Sequence, residues 1–555
     1  MFSDNATINE LTALLIAHGV RHAVTCPGSR NAPICHNLNE AGVHCHAVTD
    51  ERSATFFGLG LSQATGEAVA VCVTSGSAIL DTAAGVAEAF YHAIPLIIIA
   101  ADRPRAWIGQ LDGQTMPQAS ALGAMVRKAV TLPEGDDAVD RWHVNRLINE
   151  ALMAATATAR GPVLINVPLR EPLYEFHTHE LPNARICRMM HSAGMDTAAR
   201  VAQEMGNARR PLIVIGQTTG AEAIAQMRPK WPTLYEPLAA DGGEGLNEAL
   251  HILRNSGSVR AEEYQPDKIL YIGGHIVSKN LKQFLRSATD AETILISDDG
   301  ELHDVFQNTA LVGTCDTSAL IGRMAEAETK GDPDFVSRWN ALLSTTKELC
   351  AHRTEAFSQL QVVQTLMEKS GDAVLHFANS SAVRLGCLAS RRHFYCNRGI
   401  NGIDGSVSTA AGHAAGRQDE IHLCVTGDLS FFYDGNALWN GENGGNLRIL
   451  VMNNGGGGIF CRFGGLRGSD ARERIVMAEH SASALGLCIQ NGVEYAEARN
   501  IGDVENRLQW LTRHDDAACR PRLLEVFTNS ESDQNALNEY YDYLVNEYDK
   551  RVEKN

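Results

Sequence analysis

Two turns carry residue types that could hold a hard cation and an anionic ligand together. The apolar run Ile421–Thr426 ends in Gly427-Asp428-Leu429-Ser430, and a second, Ile449–Met452, ends in Asn453-Asn454-Gly455-Gly456-Gly457-Gly458. In a parallel sheet both turns lie at the carboxyl ends of strands, where open α/β sheets bind their ligands. Asp428 offers a carboxylate and Asn454, 26 positions on, an amide oxygen. Both are hard ligands that suit magnesium. The glycines let backbone amides and a carbonyl come close to a phosphate. Either turn alone reads as an ordinary glycine-rich connection; together, at this spacing, they read as a site. A second set of residues is cationic. Arg30, Arg103, Arg384 and Arg398 stand in loops flanked by Gly, Pro or Asn at strand ends. A guanidinium fork pairs with a carboxylate through two hydrogen bonds, so such a group suits dianionic substrates. Taken singly, each would be a surface or ion-paired arginine.

The elements that must position these residues follow from length and pattern. At 555 residues the chain exceeds one hydrophobic core, and roughly 150 residues per domain gives three to four domains. Continuous apolar runs at His22–Cys26, Val69–Thr74, Leu96–Ala101 and Val163–Val167 alternate with helical patterns. That alternation predicts a parallel sheet covered on both faces. A second set contains Leu212–Ile215, Ile269–Ile272 and Thr293–Ser297; a third contains Ala373–Phe377, His422–Thr426, Ile449–Met452 and Leu523–Phe527. The expectation is an α/β protein of three doubly wound domains, at residues 1–182, 193–345 and 355–555. The dinucleotide fingerprint, the P-loop, His-Glu-x-x-His and Gly-x-Ser-x-Gly are all absent from the sequence. Lys plus Arg number 48 against 66 Asp plus Glu, a net charge of −18, which argues against general affinity for nucleic acid or anionic membranes. The 13 cysteines form no CxxC pair, and the 20 histidines show no ligand spacing. The longest greasy stretch, Ala93–Ala101, contains Pro95 and falls far short of the roughly 20 residues that span a bilayer. No basic region followed by an apolar core opens the sequence, so a cytoplasmic protein without membrane insertion is expected.

The Gly-Asp and Asn-Asn pair resembles the diphosphate-binding motif of thiamine diphosphate-dependent enzymes. These are built from pyrimidine-binding, middle and diphosphate-binding α/β domains. The resemblance implies thiamine diphosphate held through Mg2+, or Mn2+ in its place. Asp428, Asn454 and the Gly456 carbonyl would be the metal ligands. Gly427, Leu429, Ser430, Gly457, Ile459 and Ser380 would contact the cofactor, with Thr74, Ser75 and Gly76 on the pyrimidine side. It also implies that Glu51, in His46-Ala47-Val48-Thr49-Asp50-Glu51-Arg52, activates the cofactor, and that Ile403 props it into a bent conformation.

Further motifs resemble one branch of the family: Cys26–Pro33, Ala101–Pro104, Gly113-Gln114, Asn379-Ser380 with Arg384, Asn397–Gly399, Gly402–Gly405 and Gly455–Phe460. That branch decarboxylates 2-oxoglutarate and adds the succinyl carbanion equivalent to isochorismate, on the way to menaquinone. Ser29, Arg30, Arg103, Gln114, Lys279, Ser380, Arg384 and Arg398 would then hold substrate. Ile459, Phe460 and Phe463 would form an apolar wall that excludes water. In the middle unit the run is Ser278-Lys279-Asn280-Leu281-Lys282; Lys279 matches the branch, Asn280 replaces an arginine, and Lys282 falls on the same helical face as Lys279. In the family the glutamate and the metal site come from different subunits, which implies a homodimer or homotetramer. A same-class alternative is another 2-oxo-acid decarboxylase or an acetolactate-type synthase, for which so many arginines would have little use. The alternative from another class is a non-catalytic cofactor-binding relative, which could dispense with Glu51.

Overall fold

A computed structural model describes the chain except residues 136, 189–193, 218–229, 240–244, 391, 463, 467, 515–519 and 555. Its strands fall into three sheets, in each of which every pairing is parallel. The first comprises β1 (His22–Thr25), β2 (His44–Ala47), β3 (Val69–Val73), β4 (Leu96–Asp102), β5 (Lys128–Thr131) and β6 (Val163–Pro168), in spatial order β2-β1-β3-β4-β6-β5. The second comprises β7 (Pro211–Ile215), β8 (Thr233–Tyr235), β9 (Lys268–Ile272), β10 (Glu292–Ile296) and β11 (Thr309–Gly313), ordered β11-β10-β9-β7-β8. The third comprises β12 (Val374–Phe377), β13 (His422–Gly427), β14 (Leu447–Asn453), β15 (Glu494–Ala498) and β16 (Arg522–Phe527), ordered β12-β13-β14-β16-β15. The fold is therefore α/β, as the alternating pattern requires.

The third sheet joins the other two. Successive side chains of a strand point to opposite faces. On β14, Ile449 and Val451 enter a core shared with Val24, Val71 and Ile98 of the first unit. Leu450 and Met452 enter a core shared with Leu212 and Ile269 of the second. Burying each such aliphatic side chain is worth roughly 1.5–3 kcal/mol, so the units are bonded through continuous apolar layers.

Two helices make the tightest junction. Asp50 caps the helix Glu51–Thr65, its carboxylate accepting from the Ser53 amide at 3.0 Å, and Gly66 ends it at φ 72°. The helix Ser406–Gly416 of the third unit crosses it at Gly60 and Gly412. A Cβ at Gly60 would overlap the Thr409 carbonyl, and one at Gly412 the Phe57 carbonyl. Only glycine permits this approach. Among the described residues no helix is long and apolar enough to cross a membrane.

Candidate active site

β13 and β14 are central neighbours, with Gly427 opposite Met452, so their end turns are adjacent. Asp428 opens the helix Asp428–Tyr433 and is buried at 3% exposure. One carboxylate oxygen accepts from the Leu429 amide at 2.7 Å; the other accepts from the amides of Asn454 at 3.1 Å and Gly456 at 2.9 Å. The second turn is thus folded around the acid of the first. Burial pushes the Asp428 carboxyl up, against the pull of these amides. A cation beside it would favour the ionised form. The Asn454 amide nitrogen donates to Asp533 at 3.0 Å, which leaves its oxygen as the free end. Gly456 sits at φ 151°, and a Cβ there would lie 2.7 Å from the Met477 carbonyl oxygen. Ser430 Oγ donates to the Ile403 carbonyl at 2.5 Å, which ties Ile403 to the acid turn. The Ile403 side chain is 37% exposed, a bare aliphatic group beside the cage.

Glu51, the first residue of its helix, is half-buried. Burial raises its carboxyl pKa, and Asp81 and Asp50 push it further the same way. Next to it, Asp50 accepts from Asn436 at 2.5 Å, and Arg52 donates to the Tyr433 carbonyl at 2.8 Å. Tyr433 ends the helix that Asp428 opens, so the start of the Glu51 helix is tied to the third unit within the chain.

Around the carboxyl ends of β1, β3 and β4 the structure gathers several expected residues. A Cβ on Gly28 would overlap Thr74, so the Ser29–Arg30 loop lies against the Thr74–Gly76 turn. Gly76, at φ 91°, approaches Gln114 so closely that a Cβ would be 3.2 Å from its Cα, and its amide donates to Gln118 at 2.7 Å. Ser75 Oγ is buried without a hydrogen-bond partner. Arg30 is buried, donating to the Leu169 carbonyl at 3.1 Å and to Glu171 at 3.3 Å. Burial and then Arg103 lower its pKa, and Arg103 lies 4.0 Å from the same Glu171. Two cations thus converge on one carboxylate, which is exposed on its outer side.

Ser380, Arg384, Arg398 and Ile403 form a second group on the third unit. Asn379 donates to the carbonyls of Asn397 (2.5 Å) and Gly402 (2.6 Å) and accepts from Arg398 at 2.7 Å. Arg384 donates to the Ser380 carbonyl at 2.5 Å, and Ser380 adopts φ 71°, a strained conformation for a residue with a Cβ. Arg398 Nε is buried and unpaired. Ile459 and Phe460 follow in the short turn Gly458–Arg462, half-buried. Phe463 lies outside the described residues. In the middle unit Lys279 is exposed, whereas Lys282 is half-buried, donates to the Ile276 carbonyl at 3.1 Å, and has its pKa lowered by burial and by Arg398.

Several supporting residues escape a reading of the sequence. Glu88, buried at 1% exposure, accepts from the amides of Gly399 (2.7 Å) and Ile400 (2.8 Å) and so fixes the Arg398 loop. Asp533 orients Asn454 from a helix 79 positions away. Glu236 is buried facing Lys282 and Arg398. None carries a local motif. A lone acid, in a helix as Glu88 and Asp533 are or after a strand as Glu236 is, gives no signal until the fold brings its partners to it.

Comparison with known proteins gives three results. The family described as "Thiamine pyrophosphate enzyme, N-terminal TPP binding domain" matches residues 8–122. The chain is similar to proteins named 2-succinyl-5-enolpyruvyl-6-hydroxy-3-cyclohexene-1-carboxylate synthase. The one from Phocaeicola vulgatus is 38% identical, with 98% of this chain and 100% of the relative covered; that from Porphyromonas gingivalis is 33% identical, with 98% of each covered. Among solved structures, benzoylformate decarboxylase from Polynucleobacter necessarius superposes with a TM-score of 0.72 at 17% identity, covering 96% of this chain and 99% of that one. At that identity the likeness is one of fold.

Proposed function

We infer, from the premise that the chain belongs to the family of thiamine diphosphate-dependent 2-succinyl-5-enolpyruvyl-6-hydroxy-3-cyclohexene-1-carboxylate synthases, that it joins 2-oxoglutarate to isochorismate with loss of CO2, as a cytoplasmic enzyme. The observation that carries the site assignment is the buried Asp428 carboxylate, closed upon by the Asn454 and Gly456 amides at adjacent strand ends.

The residues fit thiamine diphosphate and a divalent ion. Asp428, the free oxygen of Asn454 and the Gly456 carbonyl offer three hard oxygens for magnesium. Gly427, Leu429, Ser430 and Gly457 leave the backbone close to where a diphosphate would lie, and Ile403 presents its side chain beside them. When bound, the cofactor supplies an electron sink for decarboxylation. Thr74, Ser75 and Gly76 border the pyrimidine side, where the buried Ser75 hydroxyl lacks a partner. Glu51, its pKa raised by burial, keeps a proton at its carboxyl oxygen more readily than an exposed glutamate does. Arg30 and Arg103, with Ser29 and Gln114, receive one set of substrate carboxylates; Arg384 and Arg398, with Ser380, receive another. Glu171 occupies the first clamp in the free chain and would swing outward. From the middle unit Lys282, which faces Arg398, is a better candidate than Lys279. Ile459, Phe460 and Phe463 keep water from the reacting carbon. Family membership supports a homodimer, or a dimer of dimers, in which each site takes its glutamate from one copy and its cation cage from the other.

The test is product formation from 2-oxoglutarate plus isochorismate, with pyruvate alone as the control substrate. Turnover of the pair is expected, with Glu51→Gln slowing it by about 100-fold or more. Consumption of pyruvate alone would point to the decarboxylase or acetolactate-type alternative. Full activity in Glu51→Gln would remove that residue from its role.

A further inference from the structure

Three histidines the reaction does not use meet in the interior of the third unit. His376 lies on β12 and His422 on β13, and the register pairs His376 with Cys424, so both histidines project from the same face of the sheet. His413, on the helix Ser406–Gly416, comes down on that face. One ring nitrogen from each lies within 4.8 Å of those of the other two, and all three residues are at most 3% exposed. The ring centroids are separated by 5.0, 5.0 and 5.8 Å.

Buried polar atoms are normally paired. Here His376 Nε2, His413 Nδ1 and His422 Nδ1 have no hydrogen-bond partner. The opposite nitrogen of His422 donates to the Arg417 carbonyl at 3.2 Å, an arrangement that fixes the tautomer and leaves a lone pair on Nδ1. Metal-bound histidines commonly have such a second partner. Burial holds all three imidazoles below the usual histidine range, His422 at about 4. A small cavity lined by His376, Tyr395, Ser406 and Thr409 adjoins the cluster.

We propose that His376, His413 and His422 form a zinc site, with three imidazole ligands and a water in the fourth position. Three neutral nitrogens without carboxylate ligands favour zinc over magnesium or calcium. Zinc–nitrogen bonds of about 2.0–2.1 Å put tetrahedral ligands about 3.4 Å apart, so the rings close in modestly from their present separation. His422 begins the strand whose far end carries Asp428, about 20 Å along at some 3.3 Å per residue. The ion would therefore be structural. It would pin β12 and β13 to the helix that packs on Glu51–Thr65 and starts beside Ile403.

The experiment uses the untagged, full-length protein, stripped of transition metals and held in excess Mg2+ with thiamine diphosphate. Co2+ is titrated while the visible spectrum is followed, and Zn2+ binding is counted by elemental analysis. The proposal expects one ion per chain, a tetrahedral Co2+ band displaced by Zn2+, and a rise in Tm with zinc. His413→Gln and His422→Gln should each lose about 100-fold or more in affinity, beyond the 10–100-fold that loss of an outer partner causes. Wild-type protein that gives no Co2+ band and holds no zinc overturns the proposal. So does retention of wild-type affinity in both variants. Should the variants fail to fold, the wild-type titration decides alone.

Discussion

Glu236 is a residue whose environment, more than its type, decides its behaviour. It is fully buried, and its carboxyl is pushed up from 4.5 to about 7, chiefly by burial, with Arg398 and Lys282 pulling the other way. A folded-state pKa above the unfolded one gives stability that is complete below about 4.5 and is lost as pH rises through about 7. Glu236→Gln should therefore raise Tm relative to wild type at pH 8 and much less at pH 5, with a difference on the order of 2–3 kcal/mol. Thermal melts across that range check it, and a gap that does not change with pH would contradict it. The same scale shows what sequence can reveal. Asp428 and Asn454 are legible because glycine turns after strands are local chemistry. Glu236, Glu88 and Asp533 are not, because their partners arrive from distant parts of the chain.

Between elements, the junction of the helices Glu51–Thr65 and Ser406–Gly416 fastens the first unit to the third within the chain. Gly60→Ala forces its Cβ onto the Thr409 carbonyl, and backbone cannot retreat as a flexible side chain can. A loss of about 1–3 kcal/mol is expected, with weaker cofactor binding, whereas Gly486→Ala, which meets nothing within 4 Å, should melt like wild type. Equal melting of the two variants would mean that the junction tolerates separation. Buried strands were readable as continuous apolar runs. The strands β5, β8, β11 and β15 were not. All four lie at sheet edges; β8 is buried but only three residues long, whereas β5, β11 and β15 carry exposed positions that interrupt the apolar run. The histidine cluster was equally silent, since it joins two strands and a helix with no spacing in the chain.

For the whole molecule, the proposed site draws its glutamate and its cation cage from two copies. Co-expressing Glu51→Gln with Asp428→Asn, each inactive alone, should restore about a quarter of wild-type activity, because half of randomly paired dimers hold one intact site of two. Activity at the level of the single variants would mean that each chain builds its own site. Against a net charge of −18, the proposed clamps would each set two arginines side by side where a dianion would dock.

The cation cage itself is best tested by calorimetric titration of thiamine diphosphate into metal-free protein, with and without Mg2+. Saturable uptake only with Mg2+, abolished in Asp428→Asn, is the expected result. Binding of equal strength without a divalent ion, or undiminished in the variant, would contradict the assignment.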